Sequence, residues 1–345
     1  DTDFKVAPVI QRAIEDRMDH GVFGYTSTDD QCNQVVADYY QKKYACHVDA
    51  NWVVWVPGIV ASLSLAIRSL STQHQQVLTP DIVYPYFHTT PAAAGKQANH
   101  LTMTYAQNRV RIDIDALEKR NAQGARVMLF CNPQNPGGAM YTRDELRRID
   151  DYCEANNLVL VSDEIHADII LDKHKKHIPY LDVSAHALNN SIVLGAASKA
   201  FNVAGLACSW AVIANDDLRQ AFKDEMHGII SEINPFGYTA TLAALSQGDD
   251  WLAAMNRYLC GNRDYLLEEL NAIKGLQMLP LESTFLAWVD VSELKLEDPC
   301  AFFEAAGVGL SPGSNFNDTN FLRLNFGCAR SVLEEAVKRI KAALI

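Results

Sequence analysis

Lys199 stands in the run Gly195-Ala-Ala-Ser-Lys-Ala-Phe-Asn-Val-Ala-Gly205, among small and apolar residues and just after the strand-like stretch Ser191-Ile-Val-Leu194. An ammonium group confined against apolar surface loses hydration, so its pKa falls, and a neutral amine is the form that condenses with an aldehyde. The same run also suits an ordinary surface lysine in a strand-to-helix turn. Two other stretches bear on the choice. Cys131-Asn-Pro-Gln-Asn-Pro-Gly-Gly138 follows the apolar run Val127-Met-Leu-Phe130, and Thr142-Arg-Asp-Glu145 after it is a capping box that predicts a helix start. Val159-Leu-Val-Ser-Asp-Glu-Ile-His166 reads as a buried strand that ends in acids. Buried strand-end acids are rare without a partner, which makes Asp163 a candidate for chemistry.

The elements that would position these groups are three apolar strands, each ending in polar residues. That is the pattern of a parallel α/β sheet, which presents ligands at the carboxyl ends of its strands. Periodicity predicts helices over 7–18, 31–43, 60–70, 114–120, 215–228, 299–306 and from 332 onward, with one long helical stretch over 237–274. Short strands or extended segments are predicted around Thr102-Met-Thr-Tyr105 and Arg111-Ile-Asp-Ile-Asp115. Near the carboxyl end, Phe285-Leu-Ala-Trp-Val-Asp290 and Phe321-Leu-Arg-Leu-Asn-Phe326 alternate as strands, which suits a smaller α+β domain. Arg323 lies between apolar neighbours there and needs an anionic partner, either a buried Asp or Glu or a ligand carboxylate.

Asn135-Pro-Gly-Gly138, Ser162-Asp-Glu-Ile-His166 and Ser198-Lys199, in this order and spacing, resemble the pyridoxal 5'-phosphate (PLP) enzymes of the aspartate-aminotransferase fold, fold type I. Within them the chain is most similar to the cystathionine β-lyase or C–S lyase branch of the MalY/PatB type. The resemblance extends from Asp3-Phe4 to Arg323-Leu-Asn-Phe326. It implies a large PLP-binding domain over 23–252, with a mostly parallel central sheet between helices. A smaller α+β domain is implied over 1–22 and 253–345. Lys199 is then the lysine that carries the cofactor, Asp163 the partner of the pyridine nitrogen, and Asn135 a donor to the cofactor's O3' and to the substrate carboxylate.

By the same resemblance Tyr84, or failing it Phe87, stacks on the pyridine ring, and Arg323 takes the substrate carboxylate. The amides of Ile59, Val60 and Ala61, at a helix N-terminus, hold the phosphate together with Ser198. Tyr25 reaches across a homodimer interface to the cofactor phosphate of the neighbouring subunit. His166 stands where aminotransferases usually have a tyrosine, which favours the lyase branch; as a lone histidine it equally suits a satisfied core residue. The chain departs from the wider superfamily at Ala196 and Ala207, where many relatives place a hydroxyl and a basic group on the phosphate. That departure puts tight retention of PLP in question.

With 345 residues, 48% hydrophobic and 21% charged, the chain can bury a large core and suits two domains. A net charge of −12 argues against nucleic acid or an anionic membrane as partner, since neutralising phosphates takes clustered Lys and Arg. The one basic run, Lys173-His-Lys-Lys-His177, reads as a solvated face or loop. Eight cysteines are dispersed without C-x-x-C pairs, a reduced and cytoplasmic pattern, and the dispersed His and Cys residues form no metal-ligand cluster. No apolar stretch reaches the ~18 residues that span a bilayer. The resembled family carries a further segment before its Asp-x-Asp-Phe motif, so residues are expected to precede Asp1.

The resulting expectation is a PLP-dependent β-elimination on cysteine S-conjugates such as L-cystathionine, giving pyruvate, ammonia and a thiol. An aminotransferase shares the first steps and is the nearest alternative. A PLP-binding regulatory or interaction protein is a third, to which Ala196 and Ala207 lend slight support.

Overall fold

The computed structural model describes residues 1–28, 30–70 and 75–344. Its strands in chain order begin with β1 (Val53–Val56), β2 (Gln76–Pro80), β3 (Gln97–Leu101) and the short antiparallel pair β4 (Met103–Thr104) and β5 (Arg111–Ile112). They continue with β6 (Ala125–Cys131), β7 (Val159–Asp163), β8 (Ser191–Gly195) and β9 (Ser209–Val212). The last four are β10 (Gln277–Met278), β11 (Leu286–Asp290), β12 (Ser311–Pro312) and β13 (Phe321–Asn325).

Seven strands form one sheet in the order β1-β9-β8-β7-β6-β2-β3. Only β9 runs against the rest, so the sheet is mostly parallel. Alternate side chains leave its two faces. Val127, Leu129, Val159, Val161, Ile192 and Leu194 pack into one core, and Met128, Phe130, Leu160 and Val193 into the other. Burial on both faces explains why these strands read as continuous apolar runs, and each such side chain contributes about 1.5–3 kcal/mol before conformational entropy is subtracted.

The crossovers between parallel strands include the helices Ile59–Leu70 and Arg143–Ala155. The second opens with the expected capping box: Thr142 Oγ1 accepts from the Glu145 backbone N–H at 3.2 Å, and the Glu145 carboxylate accepts from that of Thr142 at 2.8 Å. Register then brings the ends of β6, β7 and β8 side by side, with Cys131 opposite Asp163 and Asp163 opposite Leu194.

A second sheet, β10-β11-β13-β12, is antiparallel throughout. It shares a core with the helices Pro8–His20, Asp249–Asn271 and Arg330–Ala343. A small fourth core lies where the two sheets meet, with Ile82 and Val110 from the first part of the chain against Leu279, Trp288, Phe316 and Phe321.

Two expectations need correction. The stretch 237–274 is two helices, Pro235–Gln247 and Asp249–Asn271, which meet at Gly248. A Cβ at Gly248 would come within 2.5 Å of the Ala244 carbonyl oxygen, so the junction packs too closely for any side chain. The run 173–177 is a loop, as one reading had it, but is solvated only in part, because His177 is buried and its Nε2 lies 2.8 Å from Glu164 at the end of β7. A buried carboxylate such as Glu164 requires that partner. Among the described residues no helix is long and apolar enough to cross a membrane.

Candidate active site

The ends of β6, β7 and β8, the start of the helix Ile59–Leu70 and one face of the smaller sheet enclose a cavity of about 330 Å3. Lys199, Asp163, Asn135, Tyr84, Ile59, Val60, His166, Ser198 and Arg323 all line it. These residues come from six separate stretches of the chain. Phe87 does not line it; the ring is fully buried in the core behind, so of the two aromatic candidates only Tyr84 faces the cavity. Tyr25 is also absent from the lining and is 95% exposed.

Asp163 terminates β7 and is 5% exposed. Its Oδ1 accepts one hydrogen bond, from the Ile165 backbone N–H at 3.1 Å, and among the described residues no cation pairs with it. Burial therefore dominates and pushes its carboxyl up to about 7, with the nearby Lys199 charge only partly opposing. A buried carboxylate left this way is suited to a ligand that brings its own positive charge.

Lys199 follows the tight passage at Gly195, where a Cβ would meet the Trp210 ring at 2.6 Å. Burial, and then the charge of Arg323, lower its pKa, so the amine is more readily neutral than in water. Its Nζ reaches Asp1 Oδ1 at 2.6 Å. His166 is buried and held down to about 3, first by burial and then by the charges of Lys199 and Arg323, so its imidazole is neutral. Its Nδ1 is buried and, among the described residues, has no hydrogen-bond partner. An orphaned polar atom costs about 1–3 kcal/mol unless something fills the site.

The Asn132-to-Gly138 turn has both X-Pro bonds, Asn132–Pro133 and Asn135–Pro136, in the cis form. Gln134 ties the turn down by donating to the Ile82 carbonyl at 2.7 Å and accepting from the Gly137 N–H at 2.6 Å. Asn135 is thereby aimed across the cavity, and its Oδ1 accepts from Arg323 Nη1 at 3.1 Å. Arg323 Nη2 lies 3.4 Å from Ser311 Oγ. Cys131 lines the cavity too, but burial and then Asp163 raise its thiol far above the usual range, so it is no nucleophile.

On the far side, the backbone N–H groups of Ile59 and Val60 open a twelve-residue helix opposite Ser198. Those first-turn donors lack intrahelical acceptors and carry the positive end of the helix dipole. Ala207 is exposed and outside the cavity lining. The lining thus supplies an anion cradle at one end and an uncompensated arginine at the other. Between them stand a flat phenol, an amine and a buried acid without a cation. That set fits PLP: a phosphate, a pyridinium and an aldehyde each meet a group of the right chemistry. Among the described residues no cluster could hold a metal ion.

Sequence reasoning did not find Phe285, Leu286 and Asn325, which also line the cavity. Phe285 precedes β11, Leu286 begins it and Asn325 ends β13, but nothing local marks which strand end faces the larger sheet.

A family model described as aminotransferase class I and II matches residues 1–340. Cystathionine beta-lyase PatB of Bacillus subtilis is 32% identical, over 100% of this chain and 91% of its own. Among solved structures, OvoB superposes with a TM-score of 0.97 at 38% identity, covering 100% of this chain and 91% of that one. The PLP-bound C–S lyase from Staphylococcus hominis gives a TM-score of 0.93 at 29% identity, with 100% and 91% covered.

Proposed function

Since this chain belongs to the class I and II aminotransferase family, we infer that it is a PLP-dependent carbon–sulfur lyase acting on cysteine S-conjugates such as L-cystathionine. The observation that carries this reading is the buried, cation-free Asp163 facing Lys199 and Arg323 across one cavity. When bound, PLP supplies an electron sink for the bond cleaved at the substrate's Cα.

The chain's own residues do the rest. Arg323 and Asn135 bind the substrate carboxylate and so fix which Cα bond faces Lys199. Lys199 Nζ would hold the cofactor at rest and, as a free neutral amine, would take the Cα proton. Asp163 keeps a proton on the pyridine nitrogen. Neutral His166, Asn135 and the Tyr84 phenol, which line the cavity, would hold the pyridine ring. The Ile59 and Val60 amides and Ser198 grip the phosphate, without help from Ala196 or Ala207.

Loss of the Cα proton and of the Cβ–S bond electrons to sulfur releases a thiolate, homocysteine in the case of cystathionine. One water then converts the remaining unsaturated amine to pyruvate and ammonia. The test is a pyruvate assay on L-cystathionine with and without 2-oxoglutarate. Equal pyruvate and thiol in both supports the lyase; amino transfer that depends strictly on the keto acid, with no thiol, moves the assignment to an aminotransferase.

The two sheets with their separate cores support a large domain over 23–252 and a smaller one over 1–22 and 253–345. Eight free thiols support a cytoplasmic location. A homodimer is supported by the exposed side chains of Met18, Val22, Phe23 and Tyr25, large hydrophobic residues crowded into one short stretch of the chain. In that dimer Tyr25 acts on the partner's cofactor phosphate. Mixing inactive Tyr25→Phe and Lys199→Ala subunits should therefore restore up to one native-like site per dimer. No recovery despite demonstrated subunit exchange would count against a shared site.

A further inference from the structure

We propose that Phe316, at the end of an aromatic column behind the cavity, is a positioning residue that holds Arg323 charged and ready for the substrate carboxylate; this rests on the role given to Arg323 above. Arg323 sits on β13, opposite Trp288 of β11 and Ser311 of β12. Its guanidinium is withdrawn from water, and burial lowers its pKa. Such a cation normally acquires a carboxylate, yet among the described residues none pairs with it. Its contacts are neutral: Asn135, Ser311 and the Phe316 ring, whose centroid lies 4.6 Å from Cζ.

A π face attracts a cation through its quadrupole and carries no net charge, so it stabilises a buried guanidinium without neutralising it. A protein carboxylate in the same place would compete with the substrate. Of the five N–H donors of an arginine, only those to Asn135 and Ser311 are engaged among the described residues, which leaves donors for a ligand carboxylate.

Phe316 is itself fixed from behind. It is 1% exposed and meets Trp288 edge-on, with centroids 5.4 Å apart and planes at 72°. Trp288 stacks on Phe321 at 5.0 Å and 6°, and Phe321 stacks on Tyr105 at 5.1 Å and 10°. Tyr105 closes the column: its hydroxyl donates to Asp318 and accepts from Trp288 Nε1 at 3.3 Å. An aliphatic side chain would fill the volume at 316 equally well. What it could not supply is the electron-rich ring face under Arg323.

The test uses the PLP-loaded enzyme. Phe316→Met should raise KM for L-cystathionine by about 3- to 30-fold, the range expected of a desolvated cation–π contact, with kcat within about twofold. Calorimetric affinity for L-alanine, which has no leaving group on Cβ, should fall by the same factor. Phe316→Tyr, which keeps the ring face, should stay near native. In an Arg323→Ala background the methionine substitution should add nothing further.

An undiminished effect in that background, a tyrosine variant as weak as the methionine one, or native KM and L-alanine affinity in Phe316→Met would each overturn the proposal. Phe316→Leu is read the same way if Phe316→Met is not recovered folded. Should Arg323→Ala itself bind L-alanine and cystathionine normally, the role given to Arg323 falls first, and this proposal with it.

Discussion

Lys199→Ala is expected to lose both turnover and the absorption band of the lysine-bound cofactor. The amine is aimed into the cavity from just beyond the end of β8, and burial followed by the charge of Arg323 favours its neutral form. Proton transfer alone accounts for about 10²–10⁴-fold in rate, and loss of covalent attachment adds to this. Because a methyl group replaces a side chain that is only half-buried, the fold should survive, so loss of activity with an unchanged thermal midpoint is the expected result. Added methylamine should return a measurable fraction of the rate by supplying the missing base. A variant that keeps the band and the turnover would show that some other amine does the work.

Lys199, Asp163 and Asn135 are legible in the sequence for a physical reason. Parallel strands buried on both faces are written as short apolar runs, and register sets the ends of those runs side by side, so polar residues at or just past them converge. The contrast is with contacts that close over long sequence separations. Nothing near Phe316 indicates that it lies under Arg323, or that Trp288, Phe321 and Tyr105 stack behind it, since the pairing of β11 with β13 and the junction between the two sheets make that column. The pairing of His177 with Glu164 was hidden in the same way: a basic run looks solvated until a buried acid is known to lie against it. Gly248 divides one helical pattern into two through a close approach that periodicity does not register.

Asp163→Asn should act in opposite directions on catalysis and on the stability of the cofactor-free protein. In the loaded enzyme the carboxylate stabilises the positive pyridine nitrogen, so its removal should lower kcat by about 10²–10³-fold with a much smaller change in KM, the pattern of an interaction strongest in the transition state. In the apoprotein no cation among the described residues pairs with that carboxylate, and burial raises its pKa from 3.8 to about 7. The folded state then binds a proton more tightly than the unfolded chain between those values. Stability must fall as pH rises through that window and level off above 7. The gap corresponds to ~4 kcal/mol as an upper figure.

His166 titrates in an overlapping range with the opposite slope: its folded form resists protonation down to about 3, so it destabilises the fold as pH drops below 6.5. That contribution is common to both proteins and cancels in their difference. Urea unfolding of the two apoproteins at pH 5 and pH 8 should therefore show Asp163→Asn gaining on the native chain at the higher pH. PLP should erase or reverse the gain by bringing the missing cation. A difference that is flat with pH would mean that Asp163 is not a buried carboxylate waiting for a cation, and the pairing with the pyridine nitrogen would lose its support.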